Sequence, residues 1–242
     1  MNILKAGFEI LTPISEGGIE ELKHIEKIGR VCYKSEGKIT EDGESAKKFV
    51  KMLIDRGHEA MIEHSSLSVK FVVDRGVSHE LVRHRIASFA QESTRYVNYS
   101  LEKFGNEINV IDIRNGIDLD NKMKNMDSDT ISAIMGEWCL AMEDAEKHYM
   151  KMIELGATPQ IARSVLPNST KTEITITANY REWRNFFKLR VPNTAHPQMR
   201  EVTIPLLKEL KHKLPIISLF LILELCYLQI QRYLRQLTFS LF

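Results

Sequence analysis

The 242-residue sequence predicts a single globular domain of mixed α/β class. Three observations predict it. Stretches with apolar residues at helical spacing follow stretches in which apolar and polar residues alternate. Hydrophobic residues make up 43% of the chain, enough at this length to bury one substantial core. No internal repeat, low-complexity tract or clear linker divides it.

The elements are expected in this order. Residues 5–14 read as a strand, and Ile19, Leu22, Ile25, Ile28 and Val31 recur at the spacing of a helix with one buried stripe. A second helix is expected over Glu44 to Arg56. "SLSVKFVVDRG", from Ser66, alternates and reads as a strand, after which Ser78 is the expected N-cap of a helix through "HELVRHRIAS". Residues 106–113 read as another strand and "NGIDLDNKMKNMDSD" as a surface loop. Asp127 or Ser128 should start a long amphipathic helix reaching Leu155 and stopped by Gly156. "TPQIARSVLP" reads as a short helix closed by Pro167, "KTEITITANY" as a strand, and "REWRNFFKLR" as the next helix. The segment 214–242 is far more apolar, but Pro215, Ser218 and Glu224 interrupt it before the roughly 18 to 20 clean residues of a membrane span. A buried or oligomer-forming helix is expected there, with no membrane contact.

The net charge of +1 argues against a broad polyanion-binding face, so any anion site must be local. Cys32, Cys139 and Cys226 are widely spaced, odd in number and without metal-ligand spacing. They read as reduced core thiols of a cytoplasmic protein, with no disulfide and no metal site. The start "MNILKAGFEILTPI" lacks the pattern of a signal peptide, which also places the chain inside the cell.

One stretch breaks the ordinary pattern. "RHRIASFAQESTRY" carries four bases, Arg83, His84, Arg85 and Arg95, and one acid, Glu92, whereas a solvated helix face interleaves both signs. If residues 83–88 are helical, Arg83 and Arg85 lie about 200° apart around the axis and should serve two anions or two chains. Guanidinium forks suit phosphate oxygens, and Ser93 and the loop amides add donors. The plainer alternative is an internal salt-bridge network with Glu44, Glu63, Glu80 or Glu92. A second arginine set, Arg163, Arg181, Arg184 and Arg190, with Asn179 and Asn185 among them, favours a site for phosphorylated ligands. A binding module for RNA or nucleotides is a competing reading, with Tyr96, Tyr99 and Trp183 as stacking platforms.

The stretch resembles the signature of the flavin-dependent thymidylate synthases: Arg-His-Arg, two residues, Ser, four residues, Ser, one residue, Arg, at Arg83, His84, Arg85, Ser88, Ser93 and Arg95. The likeness extends to "GHEAMIEHSSLSVKF", "IARSVLP", "TANYREWRNFFKLR" and "AHPQ", covering roughly residues 10–210. It implies an α+β domain over residues 1–215, with a mainly antiparallel sheet flanked by helices, assembled as a homotetramer with shared active sites. Residues 216–242 match no family ending and form an atypical apolar extension. The implied reaction is reductive methylation of dUMP to dTMP, with 5,10-methylenetetrahydrofolate as one-carbon donor and NADPH as reductant through FAD. No nucleic acid partner is expected.

Residue by residue, the resemblance assigns Arg83, His84 and Arg85 to FAD, with Glu80, Leu81, Val82 and Arg83 bordering the nucleotide. Gln91, Glu92, Ser93, Thr94 and Arg95 form the loop around dUMP, with Gln91 also near the flavin. Arg163 matches a dUMP ligand, and Asn179, Tyr180, Arg181 and Asn185 match flavin contacts. His58 and Ala60 line the flavin pocket. Arg190 matches the arginine that favours ionisation of uracil N3, a role in which a fixed cation enriches electron density at C5. Ala90 and Gln91 depart from members that carry Asn and Glu there. Ser93 reads as a phosphate ligand, because no base stands in the spacing to activate it as a nucleophile. A scaffold that binds FAD without methyl transfer is the remaining alternative.

Overall fold

A computed structural model describes residues 1–218. The apolar segment from residue 219 onward, including Cys226 and most of the expected extension, lies outside the described residues. The chain folds as two compact units. One comprises Met1–Glu9, Val69–Ile176 and His196–Val202; the other comprises Ile10–Ser68, Thr177–Ala195 and the chain from Thr203.

Two sheets form. The short strand β1 (Asn2–Leu4) is followed by β2 (Gly7–Ile10), β3 (Ser66–Asp74), β4 (Ala87–Gln91), β5 (Asn109–Ile111) and β6 (Lys171–Asn179). The larger, antiparallel sheet has the order β2-β3-β6-β4, and β1 pairs in parallel with β5. β3 and β6 carry the predicted alternation: Leu67, Val69, Phe71 and Val73, then Thr172, Ile174, Ile176 and Ala178, point inward and are buried. The expected strand over 5–14 is shorter, because Ser68 N–H is taken by the Thr12 hydroxyl in place of a backbone carbonyl and Pro13 follows. β1 and β5 are three residues each, too short to show a period.

In the first unit, α3 (Arg75–Leu81) and α4 (Arg114–Leu119) are short, α5 (Ser128–Glu154) is long, and α6 (Pro159–Ala162) has proline at its start. Asp127 caps α5 by accepting from Thr130 N–H, and Gly156, at φ +94°, follows its end, as expected. α4 replaces part of the expected loop. Ile117 is buried there, and a side chain on Gly116 would meet Gln198 Cγ at 2.7 Å, so glycine permits the approach. Tyr99, Ile108, Val110, Met142, Tyr149 and Ala162 make this unit's core cluster.

In the second unit, α1 (Ile19–Tyr33) packs on α2 (Glu44–Asp55), burying Leu22 and Ile25 of the predicted stripe against Phe49, Val50 and Leu53; Ile19 and Ile28 are half-buried, and Val31, in the last turn of α1, is exposed instead of buried. α7 (Tyr180–Arg190) buries Trp183, Phe186 and Phe187, whose rings pack edge-on and stacked within 5.9 Å. α8 (Pro197–Lys213) begins in the first unit and continues in the second from Thr203, and residues 215–218 are helical again. No helix among the described residues is long and apolar enough to cross a membrane. Cys32 is exposed and Cys139 half-buried, so Cys32 is not the core thiol expected: it lies on α1 beside the buried stripe, not in it.

Candidate active site

The signature stretch starts where β3 ends. Asp74 caps α3, its Oδ1 accepting from Val77 N–H at 2.6 Å, so the cap lies four residues before the expected one. Ser78 is instead buried within α3, where its hydroxyl donates to Arg75 C=O. α3 stops at Leu81, and the chain turns on Arg83 N–H to Glu80 C=O and His84 N–H to Leu81 C=O, both 3.2 Å. Residues 83–88 are therefore not helical, which removes the expected 200° separation. Arg83 and Arg85 are both exposed, on either side of a buried His84 in the sequence.

Past β4 the chain forms the loop that carries Arg95. Gln91 points back into the unit, its amide donating to Ser78 Oγ at 2.9 Å and Thr172 Oγ1 at 3.2 Å. Glu92 N–H donates to Glu173 C=O, and its carboxylate accepts from Lys171 Nζ and Glu173 N–H, each 3.2 Å. These bonds lock the loop to β6. Although burial lowers the Lys171 pKa, bonds from Glu173 and Glu92 leave it raised; the Lys171 bond holds Glu173 below its ordinary value. Ser93 Oγ accepts from Arg95 N–H, while the Arg95 guanidinium lies exposed over the Tyr96 ring at 5.4 Å. Arg163, exposed and far off in sequence, donates to the buried Thr94 hydroxyl at 3.3 Å.

Behind α3 the sequence singles out His196 as a candidate catalytic histidine but misses Asp74 and Gln198. Gln198 Nε2 donates to Asp74 Oδ2 at 2.6 Å, and His196 Nδ1 stands 3.0 Å from Glu80 Oε1, close but not aligned as a hydrogen bond. Burial raises the Asp74 pKa against the N–H bonds it accepts. Nearby Glu201 is also raised, first by burial, and one of its carboxylate oxygens has no hydrogen-bond partner. The segment "AHPQ" was the available signal for His196 and Gln198, but only the fold reveals their partners.

The second unit holds the other predicted residues. His58 and Ala60 are exposed at the start of the 3-10 segment Glu59–His64, and His58 Nδ1 lies 3.2 Å from the Tyr33 hydroxyl. Asn179 caps α7, its Oδ1 accepting from Glu182 N–H, and Tyr180 is buried, which pushes its phenol pKa up. Arg181 pairs with Glu63 and Glu59, buried Arg184 pairs with Glu59 at 2.9 Å, and the Asn185 amide faces the Glu182 carboxylate at 3.3 Å. Arg190, half-buried, has its carbonyl held by Thr203 Oγ1 at 3.0 Å.

The salt-bridge alternative thus applies to Arg181 and Arg184. Glu63 is claimed by Arg181, while Glu44, Glu80 and Glu92 pair with Lys47, His196 and Lys171. Among the described residues no carboxylate pairs with Arg83, Arg85, Arg95 or Arg163. The stacking alternative loses two platforms: Tyr99 and Trp183 are each 3% exposed, and the Trp183 indole N–H donates to Leu67 C=O. Among the described residues no His, Cys, Asp and Glu group is placed to hold a metal ion.

The family described as thymidylate synthase complementing protein matches residues 19–216. The chain belongs to that family. Among relatives, a flavin-dependent thymidylate synthase of Corynebacterium aurimucosum is 31% identical over 209 residues, 84% of this chain and 81% of that one. One of Mycobacterium avium is 31% identical over 196 residues, 79% and 76% of the two chains. The structure of the UMP/dUMP methylase PolB from Streptomyces cacaoi, bound with 5-Br dUMP, shares the fold, with a TM-score of 0.71 at 20% identity over 90% of this chain and 95% of that one. In this member of the family, Ala90 is exposed on β4 and Gln91 bonds two hydroxyl groups as a neutral amide, so neither supplies a charge.

Proposed function

We propose that this chain is a flavin-dependent thymidylate synthase, methylating dUMP to dTMP with 5,10-methylenetetrahydrofolate as one-carbon donor and NADPH as reductant, in a homotetramer. The observation that carries the reading is the bond from Arg163 to Thr94, which joins two expected dUMP ligands from distant parts of the sequence within the unit that also exposes Arg83, Arg85 and Arg95. Membership of the family and the names of the relatives support the same chemistry.

The residues present fit FAD. A flavin dinucleotide carries a diphosphate, and Arg83 and Arg85 offer two exposed guanidinium forks free of carboxylates. Asn179 keeps its amide N–H₂ for a ligand after its oxygen has capped α7, whereas Tyr180 is buried and would contribute backbone groups. When bound, FAD relays reducing equivalents from NADPH to the one-carbon unit. The protein's part is to bind and polarise. Arg95 and Arg163 grip the dUMP phosphate with Ser93 beside them, and Arg190 stabilises negative charge on the uracil ring, so that C5 becomes the nucleophile without an enzyme nucleophile.

The test is a visible spectrum of purified protein under anaerobic conditions, followed by an assay for dTMP. Bound flavin bleached by NADPH, and dTMP formed only with methylenetetrahydrofolate present, is the expected result. Protein that takes up no FAD even at high concentration overturns the reading.

A further inference from the structure

His58 is exposed and Tyr33 is 49% exposed, but one edge of the Tyr33 ring rests on a buried neighbour. Tyr33 ends α1 with its ring edge-on to Phe49, centroids 6.0 Å apart and planes at 89°. Phe49 is buried, and the Arg30 guanidinium covers it at 4.4 Å from the ring centroid. Arg30 is held in turn by the fully buried carboxylate of Glu26, whose other oxygen accepts from the Ser45 hydroxyl. This chain of contacts supports one side of the Tyr33 ring, whose hydroxyl stands 3.2 Å from His58 Nδ1.

The donor and acceptor roles in that bond depend on the imidazole tautomer, and relative acidity favours one direction. A phenol is the better acid and an imidazole the better base, so O–H donates and Nδ1 accepts. A ring nitrogen that accepts carries no proton, and the neutral ring must then hold its proton on Nε2. We propose that Tyr33 is a positioning residue that fixes His58 in the Nε2-protonated tautomer. The segment before the 3-10 turn then presents an N–H donor to a carbonyl oxygen or ring nitrogen of a bound heterocycle. The tautomer rests on the 3.2 Å contact and the relative acidities of phenol and imidazole; its use in turnover rests on the flavin-dependent reading above.

The experiment is ring-nitrogen NMR of the FAD-loaded protein labelled with ¹⁵N-histidine, with the His58 signal assigned by its loss in His58→Gln. Wild type should show Nδ1 as the unprotonated nitrogen. Tyr33→Phe keeps the ring on Phe49 but removes the donor, so the signal should move toward the mixture of a free imidazole. Turnover should fall about threefold or more, the effect of one ordinary hydrogen bond, while FAD affinity changes less than twofold. A protonated Nδ1 in wild type, or the same tautomer in Tyr33→Phe, overturns the proposal; so does a shifted tautomer with unchanged turnover. If the protein binds no FAD, the functional reading fails, while the tautomer measurement on the protein alone still decides the role of Tyr33.

Discussion

Arg163 Nη1 donates to Thr94 Oγ1 at 3.3 Å, although 69 residues separate the two. Thr94 is buried and Arg163 exposed, so the hydroxyl anchors one edge of a guanidinium whose remaining N–H groups face outward. A charge-assisted phosphate contact contributes roughly 1.5 to 3 kcal/mol, so Arg163→Ala should weaken dUMP binding at least tenfold. Thr94→Val removes only the anchor and should cost less. Calorimetric titration with dUMP decides this; equal affinity in wild type and Arg163→Ala would remove Arg163 from the site.

Glu201 predicts a pH-dependent gain in stability. Burial raises its pKa, and Oε1 accepts from Asn115 while Oε2 has no partner. Below the ordinary carboxyl value it is protonated in both folded and unfolded chains. As pH rises through the raised folded value, the folded state must ionise a carboxyl that water would ionise more readily, and stability is lost. Glu201→Gln avoids that loss and should raise the melting temperature at pH 7 to 8, with the gain vanishing toward pH 4. A variant less stable than wild type at pH 8 contradicts it.

The pair of Glu59 and Arg184 predicts the opposite. Arg184 is 7% exposed and bonds Glu59 and the Ile217 carbonyl. Removing one partner of a nearly buried pair strands the other charge. Allowing for the partial exposure of Glu59, Glu59→Ala should cost about 2 to 4 kcal/mol in denaturant unfolding, with an unchanged slope. A loss below about 1 kcal/mol would mean that water already serves the guanidinium.

The sequence made the periodic parts of this chain legible. β3 and β6 alternate as residues on a pleat must, and Leu22 and Ile25 in the middle of the α1 stripe are buried where their spacing put them, while Val31 at the helix end is exposed. It could not separate Asp74 from Ser78 as the cap of α3, because both side chains offer the same acceptor; burial on the folded chain decided. That error carried into the site by extending the helix over Arg83 and Arg85. The chemical type of the site was legible from a signature that concentrates donors in one stretch. Which arginines remain for ligands was not, since the acids that claim Arg181 and Arg184 lie 118 and 125 residues away. Gln91 is a like case, its partner Thr172 being 81 residues along the chain.

Arg190 and Arg95 should separate turnover from binding. Arg190 sits half-buried in the last turn of α7 with its carbonyl fixed by Thr203, a placement that restricts the backbone beneath the guanidinium. Arg95 is exposed on a loop that Glu92 locks to β6. If Arg190 stabilises the anionic uracil ring, Arg190→Lys keeps the charge but loses the planar fork, and the loss falls more on the transition state than on the ground state. Turnover at saturating dUMP should drop at least tenfold with a smaller change in dUMP affinity. Arg95→Ala, losing a phosphate grip made equally in both states, should weaken dUMP binding at least tenfold and lower saturated turnover less. Methyl transfer and dUMP affinity measured in both variants decide the roles. Normal turnover in Arg190→Lys, with flavin reduction and dUMP binding intact, would show that the uracil ring is polarised by another group.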